Sequence, residues 1–129
     1  MDDAKTIRVC NRNGRYQLVD DAQDLVDANE FLRSIEVRGL SPHTVRAYAD
    51  DLVVLYRWLK QCGRQLEELS QTDLLGYMEA QQEDGAHPNS INRRLITCRQ
   101  LYSFVTGRQM EWGRGLMSPA RHYRGRGRD

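Results

Sequence analysis

Cysteine is scarce in this 129-residue chain: three residues, Cys10, Cys62 and Cys98, an odd number at wide spacing. That pattern excludes a disulfide framework and fits a reducing cytoplasm. Histidine is equally scarce, with His43, His87 and His122. None stands at metal-ligand spacing from a cysteine, so no metal site is expected. No apolar run approaches the roughly 20 residues that a membrane span needs. The acidic, polar N-terminus carries no signal-peptide pattern. A glycine-rich nucleotide loop and a carboxylate pair suited to acid–base work are also missing, so the residues describe no enzyme and call for no cofactor. Charge of one sign is not in excess either: the formal net charge is +1.

What is present is charge segregation. Residues 1–37 carry a net −3, 38–66 a net +3, 67–86 a net −6, 87–110 a net +4 and 111–129 a net +3. A chain sorted in this way can present one cationic face while its total stays near neutral. The length fits one domain with tails, and 40% hydrophobic residues suffice for a modest core.

The two basic central segments open alike. Ser41-Pro42-His43-Thr44-Val45-Arg46 and His87-Pro88-Asn89-Ser90-Ile91-Asn92-Arg93-Arg94 each place Pro at the first helical position, where its missing N–H costs nothing. Each then supplies a hydroxyl, a β-branched apolar residue and arginine. Free amides and the positive dipole end make a helix start an anion site, and a hydroxyl with an arginine beside it completes a phosphate cradle. A proline and a capping hydroxyl are equally the ordinary punctuation of a helix.

Four helices are expected, at 21–38, 42–62, 71–84 and 88–106. In the first, Leu25, Val26, Ala28, Phe31, Leu32, Ile35 and Val37 give an apolar stripe. Val45, Tyr48, Ala49, Leu52, Leu55, Tyr56 and Leu59 give the second its stripe, spread over about 120°. The third opens with a capping box, Ser70-Gln71-Thr72-Asp73, and its carboxylates make it a poor neighbour for nucleic acid. The fourth buries Ile91, Leu95, Cys98, Leu101, Tyr102 and Val105. Ile96 and Phe104 lie off that stripe, which suggests a central helix packed on more than one side. Arg94 falls inside the stripe and has to snorkel out of it. Before the helices, residues 6–19 read as a hairpin about Asn13-Gly14. It is either a contact arm or a disordered lead-in, since two strands alone are marginal in water. After the helices, glycine and arginine dominate and disorder is the default.

The cadence Gly39-Leu40-Ser41-Pro42-His43-Thr44-Val45-Arg46-Ala47-Tyr48 … Asp51-Leu52 … Leu55-Tyr56-Arg57-Trp58-Leu59, followed by Asn89-Ser90-Ile91-Asn92-Arg93-Arg94-Leu95 … Arg99-Gln100-Leu101-Tyr102-Ser103-Phe104, resembles the core-binding, SAM-like domain of tyrosine recombinases and phage integrases. The resemblance covers about residues 27–107. Met117-Ser118-Pro119-Ala120 is similar to the Asn-Pro-Ala phrase that opens that family's linker, with Ser118 in place of Asn.

The resemblance implies an all-α, four-helix core-binding bundle at 21–107, an N-terminal hairpin arm at 1–20 and an interdomain linker at 108–129. It implies double-stranded DNA as partner, gripped by the second and fourth helices at Ser41, His43, Thr44, Arg46, Ser90, Asn92, Arg93, Arg94 and Arg99. Arginine offers forked donors to phosphate or guanine, and asparagine can read adenine. Neutralising about five phosphates would give log K a slope against log salt of roughly −4 to −5. The family's catalytic tyrosine and its arginine and histidine partners belong to a second domain, so this chain is expected to be a monomeric, non-catalytic part of a cytoplasmic recombinase that is tetrameric on DNA. Tyr123, between His122 and Arg124, lies in the expected linker without the packed scaffold that catalysis needs. The competing reading is a helical protein-interaction module that docks a basic partner on the acidic third helix.

Overall fold

A computed structural model describes residues 3–110. Its order is a short 3-10 turn (Asp3–Thr6), β1 (Ile7–Arg12), β2 (Arg15–Asp20), β3 (Gln23–Asp24), α1 (Val26–Val37), α2 (Pro42–Cys62), a second 3-10 turn (Leu66–Glu68), α3 (Gln71–Glu83) and α4 (Pro88–Thr106). The fold is mostly helical, four helices with one small antiparallel sheet in the order β1-β2-β3. Residues 111–129, with the Met117–Ala120 phrase, Tyr123 and most of the expected linker, lie outside the described residues.

The hairpin forms where Asn-Gly predicts it. Asn13 and Gly14 take φ of 56° and 86°, the positive values a two-residue turn between twisted strands requires. Asn11 Oδ1 accepts the Gly14 amide at 2.9 Å. The pairing runs from Ile7 opposite Asp20 to Arg12 opposite Arg15.

Two differences from expectation follow from this sheet. It has three strands rather than two, and α1 starts at Val26 rather than at 21. Asp21 turns the chain at φ 59°, Gln23 and Asp24 pair with Asp20 and Val19, and the Leu25 amide donates to the Leu18 carbonyl at 3.1 Å. These backbone bonds compete with the helix for residues 21–25 and win. Asn29 on α1 then extends the ladder: its side chain accepts from the Leu18 N–H at 2.7 Å and donates to the Leu18 carbonyl at 3.2 Å.

The sheet is not a lead-in hanging free. Ile7, Leu18 and Val19 are buried, and α2 clamps its far end. Arg57 Nε and Nη2 donate to the Ile7 carbonyl at 3.0 and 2.7 Å. Lys60 Nζ reaches Asp20 Oδ2 at 2.8 Å, and the Thr6 hydroxyl also donates to Asp20. The hairpin tip therefore lies toward the N-terminal end of α2, where Tyr16 meets Arg46.

The core follows the stripes. Ala28, Phe31, Leu32 and Ile35 of α1, Val45, Ala49, Leu52, Leu55 and Leu59 of α2, Leu74 and Tyr77 of α3, and Leu95, Cys98 and Leu101 of α4 are all buried in one cluster, which extends past α4 to Met110. α4 touches the three other helices, yet Ile96 and Phe104 stay 45% and 43% exposed. The second apolar side of α4 is thus a surface rather than a packed face, with Phe104 resting edge-on against Phe31 at 5.6 Å. Val26 and Val37, counted in the α1 stripe, are likewise exposed because they sit at the helix ends. Among the described residues, no helix is long and apolar enough to cross a membrane.

Candidate nucleic-acid interface

Both helix starts form as their residues dictate, but they are capped differently. Ser41 caps α2: its Oγ accepts the Thr44 amide at 3.2 Å and stands 3.1 Å from the Thr44 hydroxyl. His87 caps α4: its Nδ1 accepts the Asn89 amide at 3.0 Å. The Ser90 amide donates to the His87 carbonyl at 2.9 Å. With Pro88 lacking an N–H, the first-turn amides of α4 are committed within the chain. What these starts offer a ligand is therefore mainly side chains: hydroxyls, imidazoles and the arginines that follow.

Helices α2 and α4 lie alongside each other. A groove of about 380 Å³ between them is lined by His43, Thr44, Ala47, Tyr48 and Asp51 from α2 and by Arg93, Ile96 and Thr97 from α4. An adjoining groove of about 520 Å³ runs between α1 and α4 and holds Ser34, Arg38, Arg99, Gln100 and Ser103. Ile96 lines both. Of the residues expected to bind, His43, Thr44 and Arg93 thus share one groove, and Arg99 lies in the next one along the same helix.

The others go elsewhere. Arg46 sits on the opposite flank of α2, where its Nε pairs with Asp50 at 3.1 Å and its guanidinium lies 5.4 Å from the Tyr16 ring centre. The Asp50 hydrogen bond holds its pKa above the ordinary arginine value. Arg94, expected to snorkel out of the apolar stripe toward DNA, instead turns to α3, where its Nη1 donates to Gln81 Oε1 at 3.0 Å. Ser90 and Asn92 are half-buried and line neither groove.

One residue lining this groove was not among the candidates from sequence. Asp51 is 3% exposed and joins α2 to α4: Arg93 Nε lies 3.1 and 3.2 Å from its two oxygens, Arg93 Nη2 2.7 Å from Oδ1, and the Thr97 hydroxyl 3.0 Å from Oδ2. Those bonds raise the Arg93 pKa. The signal was its spacing, three residues after Tyr48 and four before Leu55, which places a carboxylate on the apolar stripe. A buried carboxylate needs a cation and hydrogen bonds, and α4 supplies both. Cys98, on the apolar stripe of α4, is buried, and burial pushes its thiol up to about 12. Among the described residues, no group of three or more His, Cys, Asp or Glu side chains could hold a metal ion.

A mostly helical fold with a hydroxyl- and arginine-lined surface along two Pro-started helices has relatives. Residues 28–109 match the family described as phage integrase, N-terminal SAM-like domain, and the chain belongs to that family. Tyrosine recombinase XerC of Xanthomonas campestris pv. campestris (strain B100) is 33% identical over 92 residues, 70% of this chain and 27% of that protein. The protein of the same name from Xylella fastidiosa (strain 9a5c) is 33% identical over 86 residues, 65% of this chain and 29% of its own length. That of Staphylococcus aureus (strain JH9) is 29% identical over 75 residues, 57% and 25% respectively. The chain thus spans less than a third of the curated relatives it matches, and the family matched is that of an N-terminal domain alone. No solved structure matches. The sheet, residues 7–24, precedes the family match.

Proposed function

We propose that this chain is the DNA-binding domain of a site-specific tyrosine recombinase, gripping duplex DNA along α2 and α4 while the strand-exchange chemistry resides in another part of the protein. The observation that carries this reading is the shared groove, which gathers His43 and Thr44 from one helix start and Arg93 from the other. Arg99 in the adjoining groove extends the cationic line along α4. Arg46 adds a charge on the far flank of α2, and Ser41, Ser90 and Asn92 border the two starts. Most of these contacts would be to phosphate and would position the protein rather than read sequence. α3 leaves Glu79 and Glu83 exposed, so repulsion keeps that side off the duplex. The full protein would act as a tetramer on two DNA sites in the cytoplasm, with this domain monomeric by itself.

Amide chemical-shift mapping with a mixed-sequence duplex tests the reading. Shifts at 41–46 and 90–100 are expected. Shifts confined to α3, or none at low salt, would refute it and favour a protein-docking module. A nicking assay on supercoiled DNA is expected to show no cleavage by this chain.

A further inference from the structure

Asp51 is the one buried carboxylate among the described residues, and its surroundings are lopsided. Arg93, Arg94 and Thr97 converge on it from α4. Arg93 supplies Nε and Nη2, with the shortest contact at 2.7 Å. Arg94 Nε, buried and without a hydrogen-bond partner, stops 4.0 Å away. The Asp51 side chain is 3% exposed while that of Arg93 is 55% exposed. The ion pair is therefore dry at its acidic end and wet at its basic end.

A guanidinium carries five N–H donors in one rigid plane. With Nε and Nη2 donating to Asp51, the donors left over belong to a side chain that lines the groove together with Thr44 and His43. An untethered arginine forfeits considerable rotamer freedom when it binds, and that cost is already met in a tethered one. We infer that Asp51 is a positioning residue for DNA: from between α2 and α4 it holds the Arg93 guanidinium in one orientation, with its outer edge presented to a backbone phosphate beside Thr44. This inference rests on the DNA-binding reading above and adds to it a residue that never meets the ligand.

Two effects of Asp51 oppose each other, and this makes the inference testable. As a bare negative charge it repels phosphate, so Asp51→Asn would tighten binding. As a positioner it preorganises Arg93, so the same change would weaken binding. The experiment is a double-mutant cycle on a mixed-sequence duplex at low salt with Asp51→Asn, Arg93→Gln and the double variant. Asp51→Asn is expected to weaken binding by roughly fivefold, the cost of immobilising one long side chain, and to cause no further weakening once Arg93 is Gln. Tighter binding by Asp51→Asn, or an equal loss in both backgrounds, overturns the positioning role.

Because Asp51→Asn also removes an ion pair that joins α2 to α4, a measurement on the unmodified chain accompanies the cycle. The Arg93 Nε–H resonance is expected to exchange slowly with water, both free and DNA-bound. A resonance averaged like that of a solvated arginine, or released from Asp51 on binding, overturns the inference. An unmodified chain that binds no duplex overturns the DNA reading itself and the inference with it, an outcome distinct from binding with the wrong cycle.

Discussion

The salt dependence of DNA binding carries the sharpest number, because the structure changes it. Four arginines, Arg46, Arg93, Arg94 and Arg99, stand among the residues expected to bind, and about five neutralised phosphates would give a slope of roughly −4 to −5. Arg94 leaves that count, since its guanidinium is turned onto Gln81 inside the bundle. Three arginines remain, Arg93 and Arg99 in the two grooves and Arg46 on the far flank of α2. Asp50 neighbours Arg46, and Asp51 neighbours Arg93. The Arg46–Asp50 pair is half-exposed at both ends, and such pairs are weak enough to exchange for phosphate. Three contacts give log K a slope of about −2.7 against log salt, so a fourfold rise in salt costs about 40-fold in affinity.

Fluorescence anisotropy with a labelled duplex across a salt series reads this directly. Arg93→Ala is expected to lower affinity and to bring the slope to about −1.8, one counterion fewer. Glu79→Ala, on the exposed side of α3 and outside the lining of both grooves, is expected to leave the slope unchanged. A slope near zero, or the same change from both substitutions, would refute the assignment of this face to DNA.

Further expectations concern the scaffold. Ser41→Ala removes the cap of α2 and should cost about 1 kcal/mol, read by urea unfolding, with weaker protection of the first-turn amides. The Lys60 ammonium, and the Thr6 hydroxyl after it, hold the Asp20 carboxyl below its ordinary pKa. A depressed carboxylate stabilises the fold above its unfolded pKa and loses that contribution as pH falls through the folded value. Asp20→Asn should therefore cost roughly 0.5–1 kcal/mol at neutral pH, where the pair is a partly exposed one, and nothing once acid has protonated the native carboxyl; a pH series of unfolding midpoints checks it. In the native protein Cys62 should react with a thiol reagent, whereas Cys98, buried with its pKa pushed up to about 12, should react only after unfolding; mass mapping of the labelled peptides decides this.

Most of the helical framework was legible because its signals are local. Prolines 42 and 88 open α2 and α4, glycines 63 and 107 close them in left-handed conformation, and the Ser70–Asp73 box starts α3. Each depends on residues within four positions, so order along the chain is enough. The start of α1 was not legible, because Gln23 and Asp24 could be lost to a strand only after β2 had formed beside them. Ile96 and Phe104 read as a second packed face, and periodicity could not reveal that no element among the described residues covers them.

The candidate site divides along the same line. By itself the sequence determined the residue types and their places on helix faces: two helix starts with hydroxyls and arginines, an Arg94 on the apolar stripe and an acidic α3. Tertiary structure alone decided which of them meet. Asp51 finds Arg93 across 42 positions, and Arg57 finds the Ile7 carbonyl across 50. Arg46 turns to Asp50 and Tyr16 on the flank of α2 away from α4. The physical reason is that a helix period sets the direction of a side chain from its own axis, while its partner is set by how two axes pack.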